Sequence, residues 1–326
     1  MPYRNVSETS IAFCLAATVA PILFTDDSAG GIAKIVPFRL VSLTISSDIQ
    51  VAVMLSQAQV DEFDRKGFIK LDPILSDDEV EVLREELDKV MAEQTDEKPV
   101  LMRNLAGGAN GDGGTKDEVV VIQIVNIWQA SPAFLDHARH PAITEMAAQL
   151  CRTELLRIWH DQIQYKLLNR GGPTAWHQDH PAWPTIQPPD LVSAWTALDD
   201  ATIENGAMWM VPGSHRWGNQ KGMLTVGEDF KCVHREPEKL PAGAEIVSEP
   251  VEVKKGAVGF HHCMTWHGSP HNRTDRPRRA IAVHYMPAHI RYDPIGTHVM
   301  EPYVPEGTQP GDILQGESFP VVYEKN

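Results

Sequence analysis

A succession of short β-prone runs fills the second half of the chain and restricts the fold more than any other feature. From about residue 155, runs such as "LLRIWHDQIQYKLL", "LVSAWTAL" and "RAIAVHYMPAH" are rich in β-branched and aromatic residues, and Gly, Pro, Asn and Asp separate them. Short strands punctuated in this way are typical of antiparallel sandwiches and jelly rolls. The sequence therefore predicts a mainly β core with helices packed outside it.

The region before this core has the patterns of helices. A first short helix is predicted to end at Gly67, and Ser76 with Glu79 forms a capping box that opens a second helix. The apolar face of the second helix comprises Val80, Leu83, Leu87 and Val90. Residues 132–151 predict two further short helices, separated near Pro141.

We predict one domain preceded by an N-terminal extension. The domain spans 54–326 and comprises a helical region 54–152, a β core at about 155–290 and a C-terminal tail 291–326. Within it, the Gly-rich residues 105–116 lack the strand and helix that flank phosphate-binding loops, so a mobile loop is predicted.

The extension, residues 1–53, has three interpretations. It is a disordered segment, or Met54 is the natural start, or the apolar run at 11–24 is the core of a signal peptide. That run is too short to span a bilayer and contains Pro21, so no membrane association is predicted.

Charge and cysteine usage exclude several classes of protein. The formal net charge is -15, which repels phosphate backbones, so nucleic acid is excluded as a partner. The same charge disfavours polyanionic substrates unless basic residues cluster locally. The four cysteines are scattered and form no C-x-x-C pair, which disfavours a disulfide framework and indicates a reducing, cytoplasmic location.

The stretch "TAWHQDHPAW" contains the most informative pair of residues. His177 and Asp179 flank a single residue, so on an extended strand both side chains point to the same face. Two histidines and one carboxylate are the ligand set of non-haem iron(II) oxygenases. The third ligand must come from a distant strand, and residues 259–283 offer several histidines. The candidates there are His261, His262, His267 and His271.

An arginine pair follows those histidines. Oxygenases of this kind use 2-oxoglutarate, a dianion whose far carboxylate suits the fork of a guanidinium group. Arg278 and Arg279 begin an alternating apolar run, so one of them faces the interior and the other faces solvent.

Three motifs in order resemble the phytanoyl-CoA dioxygenase family of iron(II)/2-oxoglutarate oxygenases. They are "WHQD" at 176–179, "AWTALDDATIENGAMWMVPGSH" at 194–215 and "WHGSPHNRTDRPRRA" at 266–280. The resemblance runs from about Leu55 to Met286. It implies a double-stranded β-helix, that is, a jelly-roll core of the cupin type.

The resemblance also implies roles for particular residues. The iron ligands would be His177, Asp179 and His267. The residues that bind the co-substrate would be Arg278 and Ser269 at its far carboxylate, with Trp195, Gln178 and, less securely aligned, Lys166 around it. Because related halogenases carry a small residue at the position of Asp179, halogenation is disfavoured.

The predicted function is therefore hydroxylation of an unactivated C–H bond in a small molecule, with iron(II), 2-oxoglutarate and O2. The alternatives are a cupin-like metal-binding protein or non-redox metalloenzyme, and an inactive binding module on the same fold. The sequence shows no basic cluster for an acyl-CoA, and the charged segment 216–255 is predicted to form a lid over the site. Four tryptophans fit the core and an aromatic substrate pocket equally well, namely Trp176, Trp183, Trp209 and Trp266.

Overall fold

The computed structural model describes residues 54–99, 101–105 and 120–325. The N-terminal extension 1–53 and nearly all of the Gly-rich loop 105–116 lie outside the described residues, so the predictions about them stay predictions. The boundary of the domain at residue 54 likewise stays a prediction.

The helices of the described residues lie where the sequence predicts them. They are α1 Gln57–Lys66, α2 Asp77–Met91, α3 Pro132–Ala138 and α4 Pro141–Cys151. Gly67 ends α1 with a φ of 83°, and both halves of the capping box between Ser76 and Glu79 are formed at the start of α2. The predicted apolar face of α2 is buried. None of the helices in the described residues combines the length and apolarity that crossing a bilayer requires.

The strands form two main sheets, and every pairing within them is antiparallel. The strands are β1 Phe68–Pro73, β2 Leu101–Asn104, β3 Val121–Val125, β4 Leu155–Lys166, β5 Thr174–His177, β6 Ile186–Gln187, β7 Val192–Ala197, β8 Met208–Met210, β9 Leu224–Val226, β10 Cys232–His234, β11 Glu249–Val251, β12 Ala257–His262, β13 His267–Ser269, β14 Arg278–Pro287, β15 Arg291–Tyr292 and β16 Val321–Glu324. The larger sheet has the order β1-β12-β7-β14-β4-β3-β2, with β16 also paired to β4. The smaller sheet has the order β11-β8-β13-β5.

Alternation along the central strands gives the large sheet two different faces. One face, with Ile281 and Val283 of β14, packs against the buried sides of α2, α3 and α4. The opposite face, with Trp195 and Ala282, packs against Met208 and neighbouring residues of the smaller sheet. The result is a two-sheet sandwich with helices on one outer face, which confirms the predicted mainly β architecture.

Arg278 and Arg279 lie on opposite faces of β14, as the alternation predicts. The guanidinium group of Arg279 donates to the Asp199 carboxylate at 2.9 Å through Nε and through Nη2, and Arg84 of α2 binds the same carboxylate at 2.5 Å. Burial alone would raise the pKa of Asp199, but the Arg279 guanidinium outweighs burial and the pKa is lowered. Asp199 therefore fastens a helix to the end of β7 and β14.

We expect Asp199→Asn to lower the free energy of unfolding by about 2 kcal/mol, because it leaves two partly buried guanidinium groups without their carboxylate. The neighbouring Asp200→Asn is a matched control, since Asp200 is far more exposed, and it should cost less than about 1 kcal/mol. Urea unfolding at pH 7 measures both. Because the pKa of Asp199 is lowered by folding, its contribution is present at neutral pH and lost as the pH falls below the ordinary carboxyl range. Equal costs for the two variants would contradict this role.

Candidate metal centre

Three side chains converge where the smaller sheet meets the chain bend after β5. His177 ends β5 and lies opposite His267, which begins β13. The Nε2 atoms of both histidines lie 3.6 Å from Oδ1 of Asp179. One ligating atom from each residue lies within 4.8 Å of the others. The structure thus brings together the residues predicted as the metal-ligand set.

Asp179 reaches this point by a different route from the predicted one. Strand β5 ends at His177, and Asp179 has the helical backbone angles φ −69° and ψ −54°, just before a 3-10 turn at His180–Ala182. The backbone N–H groups of Asp179 and His180 both donate to the carbonyl oxygen of Cys263, at 2.9 and 3.1 Å. The expectation that one continuous strand carries both ligands is therefore wrong. The two side chains converge because the chain bends and its freed amides bind Cys263.

The Nδ1 atoms of His177 and His267 each form a hydrogen bond with a backbone carbonyl group. Nδ1 of His177 lies 2.7 Å from the carbonyl oxygen of Ala175, and Nδ1 of His267 lies 3.0 Å from that of Thr265. Each carbonyl can only accept, so each Nδ1 carries the proton and each Nε2 presents a lone pair to the centre. This is the tautomer that binds a metal ion through Nε2.

Asp179 is oriented from behind by two buried groups. Its Oδ2 accepts from Ser193 Oγ at 3.3 Å and lies 3.1 Å from Nε2 of His261. Ser193 in turn lies 2.6 Å from Nδ1 of His284. Of the other histidines in the candidate segment, His261 bonds to Asp179, while His262 faces Asp190 instead. Such partners leave Oδ1 directed at the two histidines.

The carboxylate at the centre stays ionised, as a metal ligand must. Burial and the charge of His177 lower the pKa of His267 to about 3. Burial works to raise the pKa of Asp179, but the nearby histidines hold it well below its usual range. Burial lowers the pKa of His177, yet Asp179 outweighs that effect and raises it. Two imidazoles and an ionised carboxylate are the ligands of the facial triad of iron(II) oxygenases.

Ligand atoms about 2 Å from one ion lie roughly 3 to 3.5 Å from each other, so the 3.6 Å separations need only a small adjustment. The three donor atoms therefore fit a single metal ion, with all three ligands on one side of it. A cavity of about 820 Å³ lies beside these ligands, and its walls include His177 and Asp179.

The buried guanidinium group of Arg278 lies on the inner face of the sandwich. Arg278 is 0% exposed, and its Nε, Nη1 and Nη2 atoms have no hydrogen-bond partner among the described residues. The group lies 5.5 Å from the ring of Trp195, and burial lowers its pKa to about 10. A buried cation without an anion or acceptor costs several kcal/mol, so this position indicates an anionic ligand.

Lys166 lies opposite Arg278 on the neighbouring strand. Its ammonium group donates to the carbonyl oxygens of Gly172 and Pro270, the latter at 2.8 Å. Burial and the charge of Arg278 lower its pKa. The stem of Lys166 packs against Gly206, whose φ of 88° and close approach to Pro270 leave no room for a Cβ atom. Lys166 thus fixes the turns around Arg278, and its predicted contact with a co-substrate stays a prediction.

The remaining residues of the predicted set are Ser269, Trp195 and Gln178, and all three are buried. Ser269 is buried two residues after His267, on the same face of β13. Trp195 is buried, and its Nε1 lies 3.3 Å from Oε1 of Gln164. Gln178 binds Gly218 and Met264 through Nε2, at 2.9 and 2.8 Å, and accepts from the amide of Gln220 at 2.8 Å. These bonds tie the predicted lid segment to β5.

A row of polar side chains along β4 faces the cavity and was not predicted from the sequence. His160, Gln162 and Gln164 alternate along this strand and line the cavity, and Lys166 continues the row. The signal was present as "HDQIQYK", in which every second residue is polar. A strand that carries polar residues on its buried face is typical of a binding site.

Comparison with known proteins gives a consistent result. A sequence model of the phytanoyl-CoA dioxygenase (PhyH) family matches residues 63–280. Methylphosphonate hydroxylase of Gimesia maris is 28% identical over 231 residues, which cover 71% of this chain and 80% of that protein. Ectoine dioxygenase of Bordetella bronchiseptica is 25% identical over 279 residues, covering 80% and 83%.

Solved structures agree with these relatives. The non-heme alpha ketoglutarate dependent carbocyclase SnoK from nogalamycin biosynthesis superposes with a TM-score of 0.65 and 29% identity, over 82% of this chain and 96% of that one. EctD from S. alaskensis, solved with 2-oxoglutarate and 5-hydroxyectoine, superposes with a TM-score of 0.59 and 23% identity, over 83% and 88%. The two-sheet sandwich is thus the jelly roll that the sequence predicted.

We expect the purified protein to bind one Co(II) or Fe(II) ion per chain and Asp179→Ala to weaken that binding by more than about 100-fold, since even residues behind the ligands typically contribute 10- to 100-fold. His262→Ala is the matched control, because His262 lies nearby but faces Asp190. Anaerobic calorimetry measures both affinities. Equal affinity in wild type and Asp179→Ala would remove this carboxylate from the ligand set.

Proposed function

Because this chain belongs to the phytanoyl-CoA dioxygenase family, we propose that it hydroxylates a small molecule with His177, Asp179 and His267 as the ligands of its iron ion. It is an iron(II)- and 2-oxoglutarate-dependent oxygenase, the class that the sequence predicted. The observation that carries the assignment of these ligands is their convergence: three donor atoms meet at one point, with protein behind them and a cavity in front.

The positions around Arg278 support its role as the anchor of 2-oxoglutarate. The far carboxylate would pair with the guanidinium group, with Ser269 beside it and Trp195 along one side. Iron(II) with one carboxylate carries a formal charge of +1, the 2-oxoglutarate dianion brings the sum to -1, and Arg278 returns it to zero. An interior site is stable only when charge is balanced in this way.

When bound, iron(II) with 2-oxoglutarate and O2 supplies the oxidation of a C–H bond, with succinate and CO2 as the products from the co-substrate. The chain supplies position and environment. Ser193 and His261 orient Asp179, and the carbonyl groups of Ala175 and Thr265 hold the imidazoles in the ligating tautomer. Buried Trp183 forms part of the cavity wall and packs against the ring of His284.

The substrate is a small molecule. Named relatives act on ectoine and on methylphosphonate, and a cavity of about 820 Å³ is in the range of small-ligand sites. The three described cysteines, Cys151, Cys232 and Cys263, are free and buried, which supports the proposed cytoplasmic location.

Arg278 also weighs against the two alternative functions. A cupin-like metal protein without oxygen chemistry needs no unpaired cation inside its sandwich, and an inactive module gains nothing from keeping one at such cost. Both alternatives predict that the protein does not convert 2-oxoglutarate to succinate.

Anaerobic addition of iron(II) and then 2-oxoglutarate should produce a weak visible charge-transfer band, because 2-oxoglutarate chelates the iron(II) that the protein holds. Admission of O2 should then release succinate slowly even without substrate. His177→Ala should lose the band and the succinate while its circular dichroism spectrum stays native. A folded, iron-loaded wild-type protein without the band would favour the cupin-like alternative.

We expect Arg278→Ala to raise the KM for 2-oxoglutarate by about 30-fold or more, because loss of one partner of a buried charged pair costs at least 2 kcal/mol. Arg276→Ala is the matched control, since Arg276 precedes β14 and is exposed. Succinate release at varied 2-oxoglutarate concentration gives both values. An unchanged KM in Arg278→Ala would leave the guanidinium group without its proposed role.

A further inference from the structure

One rung of the large sheet lies directly behind the carboxylate of Asp179. His261 on β12 pairs with Ser193 on β7, and Ser193 pairs with His284 on β14. All three residues are at most 2% exposed. Because residues directly opposite each other on neighbouring strands share one face of a sheet, the three side chains stand side by side. The register thus gathers three polar groups at one buried place.

Both hydrogen bonds from this rung to Asp179 end on the same carboxylate oxygen. Oδ2 lies 3.1 Å from Nε2 of His261 and 3.3 Å from Oγ of Ser193. Oδ1 lies 3.6 Å from Nε2 of His177 and 3.6 Å from Nε2 of His267. The two oxygens therefore have different partners: the large sheet binds Oδ2, and the two histidines of the metal centre face Oδ1.

The direction of each bond follows from the single proton of the Ser193 hydroxyl group. An ionised carboxylate can only accept, so that proton points to Asp179. If it pointed to His284 instead, two acceptor oxygens would face each other at 3.3 Å. The contact of 2.6 Å between Oγ of Ser193 and Nδ1 of His284 is then a hydrogen bond that Nδ1 donates. His284 thus carries its proton on Nδ1.

The His284 side chain makes this one hydrogen bond within the part of the chain that the structure describes. Its Nε2 atom is buried and has no partner there, and its ring packs against those of His160 and Trp183 at 4.5 and 4.7 Å, centroid to centroid. Burial lowers the pKa of the ring to about 4, so it has a single proton to donate at neutral pH. An apolar side chain would pack there without an unsatisfied nitrogen, so the imidazole needs a reason to be present.

We infer that His284 is a positioning residue for the metal centre: its Nδ1–H holds the Ser193 hydroxyl as a donor to Oδ2, so that Asp179 binds the metal ion through Oδ1 alone. This inference rests on the proposed metal ligands and goes beyond them, because it states how one of them binds. His284 acts on Asp179 through Ser193, and His261 supplies the second donor to the same oxygen.

Binding through one oxygen matters because the positions around a metal ion are limited. A facial triad occupies one side of the ion and leaves the other side open. A carboxylate that binds through both oxygens, as in many calcium sites, takes one position more. Since 2-oxoglutarate chelates the ion through two of its own oxygens, a second oxygen from Asp179 would compete with it. The donors on Oδ2 oppose that competition.

Three substitutions of His284 separate the donor from the ring that carries it. The amide nitrogen of Asn reaches the position of Nδ1, that of Gln reaches the position of Nε2, and Leu has no donor. Anaerobic calorimetry of Co(II) on each full-length protein measures metal affinity. We expect His284→Leu and His284→Gln to weaken Co(II) binding by about 10- to 100-fold, the typical effect of a residue behind a ligand. His284→Asn should bind Co(II) nearly as tightly as the wild type.

The visible absorption spectrum of bound Co(II) provides a readout that packing alone would not change. Loss of the Ser193 donor frees Oδ2 to bind the ion, so the spectrum of His284→Leu should differ from that of the wild type, and its affinity for 2-oxoglutarate should fall. His284→Asn should restore the wild-type spectrum. A side chain that only fills the space beside Trp183 and His160 would leave the spectrum unchanged in all three variants.

The outcomes distinguish this inference from the proposed function. Wild-type Co(II) affinity and spectrum in all three variants would overturn the inference. Equal weakening in all three, His284→Asn included, would also overturn it, as would loss of the native circular dichroism spectrum in all three, because the ring would then serve packing. A wild-type protein that binds Co(II), responds to the substitutions as expected and yet fails to bind 2-oxoglutarate would contradict the proposed function alone. A wild-type protein that binds no Co(II) would overturn both.

Discussion

A cation buried inside a β-sandwich must be neutralised, and in this protein that cation is Arg278. Its guanidinium group lies on the inner face of the large sheet against Trp195, without a partner among the described residues. The cost of this arrangement is acceptable only if an anion binds there during the working cycle. In the proposed function, 2-oxoglutarate would lie between this guanidinium group and the three metal ligands.

The antiparallel register of the large sheet places the polar residues of the site side by side. Inward-facing residues form rungs across β4, β14 and β7: Lys166 with Arg278 at one end, and His160 with His284 and Ser193 at the other. The second rung orients Asp179, which is not on the large sheet at all. The smaller sheet contributes the two histidines. The site therefore exists only when both sheets are packed against each other.

Much of this could be predicted from the sequence, and the exceptions have physical causes. Capping boxes and helix faces are local signals, so α1 and α2 were predictable, and alternation on β14 separated Arg278 from Arg279. The backbone at Asp179 was not predictable, because its bend depends on the carbonyl group of Cys263, more than 80 residues away.

We propose that one 2-oxoglutarate molecule lies between a metal ion on His177, Asp179 and His267 and the guanidinium group of Arg278. A crystal structure of the full chain, grown without oxygen in iron(II) and 2-oxoglutarate, tests it most directly. We expect an ion on Nε2 of both histidines and on Asp179, with the far carboxylate about 3 Å from the Arg278 guanidinium. An ion on His160 and His284 instead, or a far carboxylate away from Arg278, would contradict it.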